Sequence, residues 1–338
     1  MFLNVFQHAR RFVDRRPWAA HLYVTDRCNL DCHYCNEFDN SRPHPLLSDL
    51  THWMDKIREL GVLQLGLQGG EPLLHPEIVA IVRHARALGF APISMATNGF
   101  TLTPELLRQL GDAGLHAMNI SVDRMTPIES TRKSLKTVEE KLDWFEDSPV
   151  RVNVSGVLSE DTLGEMAGVI DTCLKKGISV HARVIHDDLV HGRRLRSDGS
   201  TKSLLDFIEY QEQLKRRGER IHTNWAILDY QKKMLRQQPQ EWTCVAGYKY
   251  FFVSALGKFW PCSQVRTDRD IMTITPQDLI AYDAKKDCQS GCGVYCTVDA
   301  SLVLNNPAKY VGTEVVQRLG SGVNRLFASH REPSVAPR

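Results

Sequence analysis

The 338-residue chain carries 42 Lys and Arg against 40 Asp and Glu, a formal net charge of +2, with 42% hydrophobic and 24% charged residues. These ordinary globular values exclude a disordered, collagenous or coiled-coil chain, and the balanced charge leaves no footprint for nucleic acid. No apolar run approaches the roughly 18 residues of a membrane span.

The N-terminal residues lack the long apolar stretch and small-residue cleavage site of a secretory signal, so a cytoplasmic protein is expected. Residues 1–19 read as a short amphipathic helix. Phe2, Leu3, Phe6 and Val13 can share a face ringed by Arg10, Arg11, Arg15 and Arg16. Packing on the main body is the expectation, and contact with an anionic membrane surface is the alternative.

Residues 20–185 alternate strand-like and helix-like stretches. Strands are predicted at 21–25, 62–67, 92–96, 117–122, 151–157 and 179–185, and helices at 76–88, 104–113, 134–145 and 163–176. Pro76 and Pro104 suit a first helical turn. Gly61, Gly89, Gly114 and Gly177 suit left-handed C-terminal caps. Six βα repeats imply an α/β fold, a parallel sheet with helices outside. A six-unit open barrel and a doubly wound sheet both fit that count.

Residues 186–240 are polar and read as a connector with a helix near 202–215. Over 241–300, cysteines, aromatics and glycines replace the βα rhythm, as in a small metal-organised domain. Residues 301–338 read as a helix and a loose tail, rich in Ser, Pro and Arg from Gly320.

The nine cysteines are few for a disulfide scaffold and odd in number. Three fall at 28, 32 and 35, five between 244 and 296, and Cys173 sits alone in a helical pattern as an expected core residue. Clustered cysteines in a reducing compartment point to metal. Cys28, Cys32 and Cys35 follow the first predicted strand, and in βα barrels such loops form the active-site face. Three thiolates from one loop can hold three irons of a [4Fe–4S] cluster and leave the fourth open. A zinc knuckle with a distant fourth ligand is the alternative.

The spacing C-x3-C-x2-C, with Tyr34 before the last cysteine, resembles the radical SAM superfamily. The resemblance implies a partial (β/α)6 TIM-like barrel over 20–185. It also implies a [4Fe–4S] cluster whose open iron is chelated by S-adenosylmethionine. Reductive cleavage would give a 5′-deoxyadenosyl radical that abstracts a substrate hydrogen atom. An external one-electron reductant of flavodoxin or ferredoxin type is implied as well.

Gly69, Gly70, Glu71 and Pro72 resemble the family's GGEP motif, where glycines permit close backbone approach and the carboxylate meets the cofactor ammonium. Thr97 and Asn98 sit where the family places polar contacts to the cofactor, with an Asn-Gly turn as the plain alternative. Ser121 and Asp123 resemble a ribose-contacting pair, with helix capping as the alternative. Arg183, near His181 on the last strand, could steady the cofactor carboxylate or a substrate acid, or form a surface ion pair.

The C-terminal stretch reads C-x12-G-x4-C from Cys244 through Gly257 to Cys262, with a hairpin expected between the two cysteines. Cys288, Cys292 and Cys296 follow. This resembles the SPASM and twitch auxiliary iron–sulfur domains, with four of the five cysteines implied as ligands of one second [4Fe–4S] cluster and one to spare. Structural zinc is the alternative. The implied substrate is a peptide or a biosynthetic small molecule; a sugar, aminoglycoside or lipid-linked molecule is the alternative. A non-catalytic iron–sulfur or zinc partner-binding protein is the reading from another class.

Overall fold

The computed structural model describes residue 11 and residues 13–196, 198–289 and 291–307. Residues 1–10 and most of the C-terminal tail lie outside the described residues; the helix expected over residues 1–19 does not extend through 13–18, which form a turn and bends before Ala19 opens the first strand.

Six parallel strands follow one another in sequence order: β1 (Ala19–Thr25), β2 (Gln64–Gly69), β3 (Ile93–Thr97), β4 (Ala117–Ser121), β5 (Arg151–Leu158) and β6 (Ser179–Val184). A doubly wound sheet would reverse its order at a switch point. This order never reverses, so the open barrel is the architecture. Its outer helices are α1 (Leu47–Glu59), α2 (Ile78–Ala87), α3 (Pro104–Ala113), α4 (Leu135–Asp143) and α5 (Glu160–Lys175). The four anticipated cap glycines all have positive φ. Helix α5 starts three residues earlier than expected because Ser159 and Thr162 form a capping box. Helix α1, anticipated only through its terminal Gly61, buries a face of Leu50, Met54 and Ile57.

The sheet's two faces differ in chemistry. Outward side chains such as Leu22, Leu67, Met95, Ile120, Val154 and Val180 are buried in one core with the helices. Alternate positions carry His21, Gln68, Ser121, Ser155, His181 and Arg183, and the last five of these line an internal chamber. Parallel strands buried on both faces read as continuous apolar runs. The polar alternation here marks a sheet whose concave face is not packed by helices.

Two further helices, α6 (Thr201–Arg216) and α7 (Trp225–Leu235), occupy the connector. They cover the open edge at β6. The Gln211 side chain both accepts from Ala182 N and donates to Ala182 O, at 3.0 Å each, and Gln231 accepts from Val184 N at 2.9 Å. That satisfies backbone groups an exposed edge would leave open.

The expected C-terminal hairpin forms as β7 (Tyr250–Val253) and β8 (Phe259–Trp260), which pair antiparallel. Strand β7 also pairs parallel to β1, from Ala19↔Tyr250 to Leu22↔Val253, so the hairpin extends the barrel sheet to eight strands. A short helix α8 (Pro276–Ala281) and helix α9 (Tyr295–Asn305) complete the described chain. Cys173 is fully buried in the outer core, as expected.

Candidate active site

The cysteine loop leaves β1 at Thr25 and is held by its neighbours' backbone. Gly70 N donates to Thr25 O at 2.9 Å and Glu71 N to Arg27 O at 2.8 Å. A Cβ on Gly69 would lie 2.0 Å from Thr25 O, and one on Gly70 2.3 Å from Arg27 O. The glycine pair therefore lets the β2 end seat the cysteine loop, which is a closer approach than any side chain allows.

Cys28, Cys32 and Cys35 are free thiols lining one cavity of about 110 Å³ with Gly69, Gly70, Glu71, Thr97 and Asn98. Leu30 N donates to Cys28 Sγ at 3.4 Å and Glu37 N to Cys35 Sγ at 3.5 Å. Burial raises the Cys28 thiol, and burial with Glu37 pushes Cys35 up to about 11. Without added positive charge these thiols stay protonated, so the site suits a soft cationic group that supplies it.

Glu71 is 1% exposed and its carboxylate is already engaged. It accepts from Thr97 Oγ1 (2.6 Å), Asn98 N (2.6 Å) and Leu73 N (3.0 Å). Burial raises its pKa. Asn98 spends its amide on Asn29 (2.8 Å) and its carbonyl on Phe100 N (2.9 Å). Pro72 is buried in a 3-10 turn. Asp123, 1% exposed, accepts from Tyr34 (2.5 Å), Thr131 (2.9 Å) and Val157 N (3.1 Å). These groups brace the loops around the cavity, while Ser121 faces it directly.

Lys133 had no sequence signal. It lies 3.1 Å from the Tyr34 hydroxyl and lines the thiol cavity. Burial alone would lower its pKa, but Tyr34, Asp123 and the nearby thiols outweigh that and raise it.

A second compartment of about 270 Å³ adjoins the thiol cavity; Glu37, Gln68, Ser121 and Lys133 line both. The far wall is His181, Arg183, His186, Phe252, Tyr295 and Cys296. Arg183 thus belongs to the compartment away from the thiols. Its guanidinium lies 5.5 Å from the Tyr295 ring centroid and 3.9 Å from Asp299, and its Nε is buried with no hydrogen-bond partner.

Cys244 and Cys262 flank the hairpin at its open end, as expected. Cys292 precedes α9 and Cys296 sits in its first turn. The five C-terminal thiols are linked through Cys244 and Cys292: ionisation of Cys262 is opposed by Cys292, Cys296 and Cys244, and that of Cys292 by Cys244, Cys288 and Cys296. Burial pushes Cys292 up to about 12 and Cys296 to about 11. Among the described residues no three His, Cys, Asp or Glu side chains gather around a single ion position. A cluster places each thiolate on a separate iron and does not require that gathering.

The Radical SAM superfamily model matches residues 22–173. A probable GTP 3′,8-cyclase of Methanothermobacter thermautotrophicus is 30% identical over 227 residues, 64% of this chain and 72% of that protein. The chain belongs to the radical SAM superfamily. PqqA peptide cyclase of Bradyrhizobium diazoefficiens is 26% identical over 288 residues, 79% of this chain and 72% of that protein.

The radical SAM fold extends into solved structures. Streptococcus suis SuiB bound to the precursor peptide SuiA superposes with TM-score 0.62 at 13% identity, over 90% of this chain and 76% of SuiB. Native anSMEcpe with bound AdoMet gives 0.61 at 16% identity, over 87% and 98%. The chain is an enzyme of this superfamily, which uses a [4Fe–4S] cluster with S-adenosylmethionine, and its Cys-rich C-terminus fits an auxiliary cluster. Among the described residues no helix is long and apolar enough to cross a membrane.

Proposed function

We propose that the chain modifies an unactivated C–H position of a peptide side chain, or of a biosynthetic molecule of similar bulk, held between two iron–sulfur clusters. The observation that carries this is the pair of adjoining compartments, with Cys28, Cys32 and Cys35 lining one and Cys296 in the wall of the other. The far compartment, about 270 Å³, suits one side chain or small ring. PqqA peptide cyclase, a relative aligned over most of this chain, supports the peptide class.

When bound, the cluster and S-adenosylmethionine supply one-electron cleavage to a carbon radical able to remove a hydrogen atom. The chain's residues do the rest. Cys28, Cys32 and Cys35 hold the first cluster, and four of Cys244, Cys262, Cys288, Cys292 and Cys296 hold the second. Gly69 and Gly70 seat the cysteine loop. Lys133 offers a cation to a carboxylate at the thiol end. Ser121 faces the cofactor, and Glu71, Thr97, Asn98, Tyr34 and Asp123 fix the walls.

The division into a core over 20–185 and an auxiliary unit over 241–300 follows, joined through the β1–β7 ladder. An external one-electron reductant completes the cycle, and nine free thiols suit a cytoplasmic protein.

Anaerobically reconstituted, reduced protein should convert S-adenosylmethionine to 5′-deoxyadenosine. A precursor peptide should raise that yield and be recovered altered in mass. GTP raising the yield instead would move the substrate to the nucleotide class, and no deoxyadenosine at all would end the reading.

A further inference from the structure

The β1–β7 ladder stops at Leu22↔Val253, short of both Cys28 and Cys262. Backbone pairing therefore does not fix the two cysteine loops to each other. We infer that Asp188 and Arg193 form a clasp that does so, with Asp188 as a positioning residue for both loops. The inference rests on the reading that each cysteine set holds a cluster.

Asp188 follows β6 and is fully buried. Its Oδ1 accepts from Asn36 Nδ2 (2.5 Å), Val190 N (3.1 Å) and His191 N (3.2 Å). Its Oδ2 accepts from Arg193 Nε (2.7 Å) and lies 2.9 Å from His191 Nδ1. The backbones of Asp188 and Arg193 exchange two hydrogen bonds of 2.9 Å, which folds 188–193 into a small hairpin. The Arg193 guanidinium then reaches across to His33 O (2.9 Å) and Cys35 O (3.4 Å). One ion pair thereby grips the first cysteine loop by two carbonyls and by Asn36, the neighbour of Cys35.

The same node holds the second loop. Asn36 Nδ2 also donates to Gln264 Oε1 (3.3 Å), which accepts from Leu189 N as well (3.0 Å). Arg266 Nη2 donates to Asn36 O (3.0 Å) and Oδ1 (3.1 Å), with its guanidinium 4.4 Å from the Trp260 ring centroid. Gln264 sits inside the turn that Cys262 and Val265 close with their backbones, Val265 N donating to Cys262 O at 3.0 Å. The path between the two loops thus runs from Asn36 to Gln264, with Asp188 holding the Asn36 amide and its neighbour Leu189 holding Gln264. A buried carboxylate serving two loops is costly to desolvate and holds only while its partners stay in place. No step proposed for the reaction uses Asp188. Its evident role is to set the width of the chamber between the clusters, where small displacements cost rate.

The test compares wild type with Asp188→Asn and Arg193→Gln. Arg193 is 41% exposed, so its variant should fold even if the buried one does not. In metal-free protein, hydrogen–deuterium exchange should quicken by about tenfold or more over both 33–37 and 263–266, with the β4–β5 ladder unchanged. In reconstituted protein, loss of the Arg193 cation should move the first cluster's midpoint potential more negative, and Arg193→Lys should restore most of it. Unchanged exchange at either loop overturns the clasp. Quickened exchange with an unmoved potential reduces the clasp to scaffolding and overturns the positioning role. Iron content of wild type separately decides the two-cluster reading, so the two failures are distinguishable.

Discussion

The two cysteine sets bring their thiols together by different routes. Cys28, Cys32 and Cys35 sit on one loop after β1, so their convergence is a local property of spacing. The C-terminal five come from the hairpin flanks, a loop and the first turn of α9, and only tertiary packing makes them neighbours. In the first set backbone N–H groups of Leu30 and Glu37 donate to Cys28 and Cys35, while in the second burial raises the Cys244, Cys262, Cys292 and Cys296 thiols. The comparison teaches that a cluster site is legible in a sequence to the extent that its ligands are local.

The largest effect should come from the local set. Replacing any of Cys28, Cys32 or Cys35 with Ala should abolish deoxyadenosine formation; normal turnover would remove the radical chemistry from that loop. The distributed set should separate from it. Cys244→Ala or Cys262→Ala should lose the second set's iron and product formation while sparing most cofactor cleavage, with iron and deoxyadenosine assayed on one preparation. Loss of both activities in a folded protein with its first cluster intact would erase the distinction.

A smaller effect should follow at the glycine seat. In Gly70→Ala the new Cβ meets the Arg27 carbonyl, and unfolding in urea should show a loss of about 1–3 kcal/mol. Wild-type stability would mean the loop yields freely.

The smallest effect is a slope. Burial lowers the His21 imidazole to about 4, beside the Tyr250 hydroxyl at 2.6 Å. Between its ordinary value near 6.5 and 4, the unfolded chain binds the extra proton, so stability falls as pH falls through that window. His21→Gln should flatten the stability profile there by about 1 kcal/mol per pH unit. An unchanged slope would show that His21 is not buried neutral.

Much of the barrel was legible because β and α periods, Pro starts and Gly stops agree along residues 20–185. The glycines of the GGEP motif were legible as a close approach, but their partner is the cysteine loop's own backbone. Glu71 and Asp123 were legible as site residues, yet their carboxylates are filled by Thr97, Asn98, Tyr34 and Thr131. Nothing local distinguishes a filled carboxylate from a free one. Lys133, Glu37 and Asp188 left no signal, because what matters is the loop each meets across the fold. Helix α1 was legible at its end, in Gly61, and its start would have been legible in the spacing of Leu50, Met54 and Ile57. The polar alternation of β5 and β6 held the clearest neglected signal, a parallel strand with one face turned to a chamber.

The central claim, two cluster sites facing one chamber, is tested most directly by counting iron and labile sulfide per chain after anaerobic reconstitution. The comparison is wild type against the variant with Cys28, Cys32 and Cys35 all replaced by Ala. About 8 Fe falling to about 4 is the predicted result. About 4 Fe falling to none would contradict the account, leaving the C-terminal thiols without a cluster and the chamber with iron at one end only.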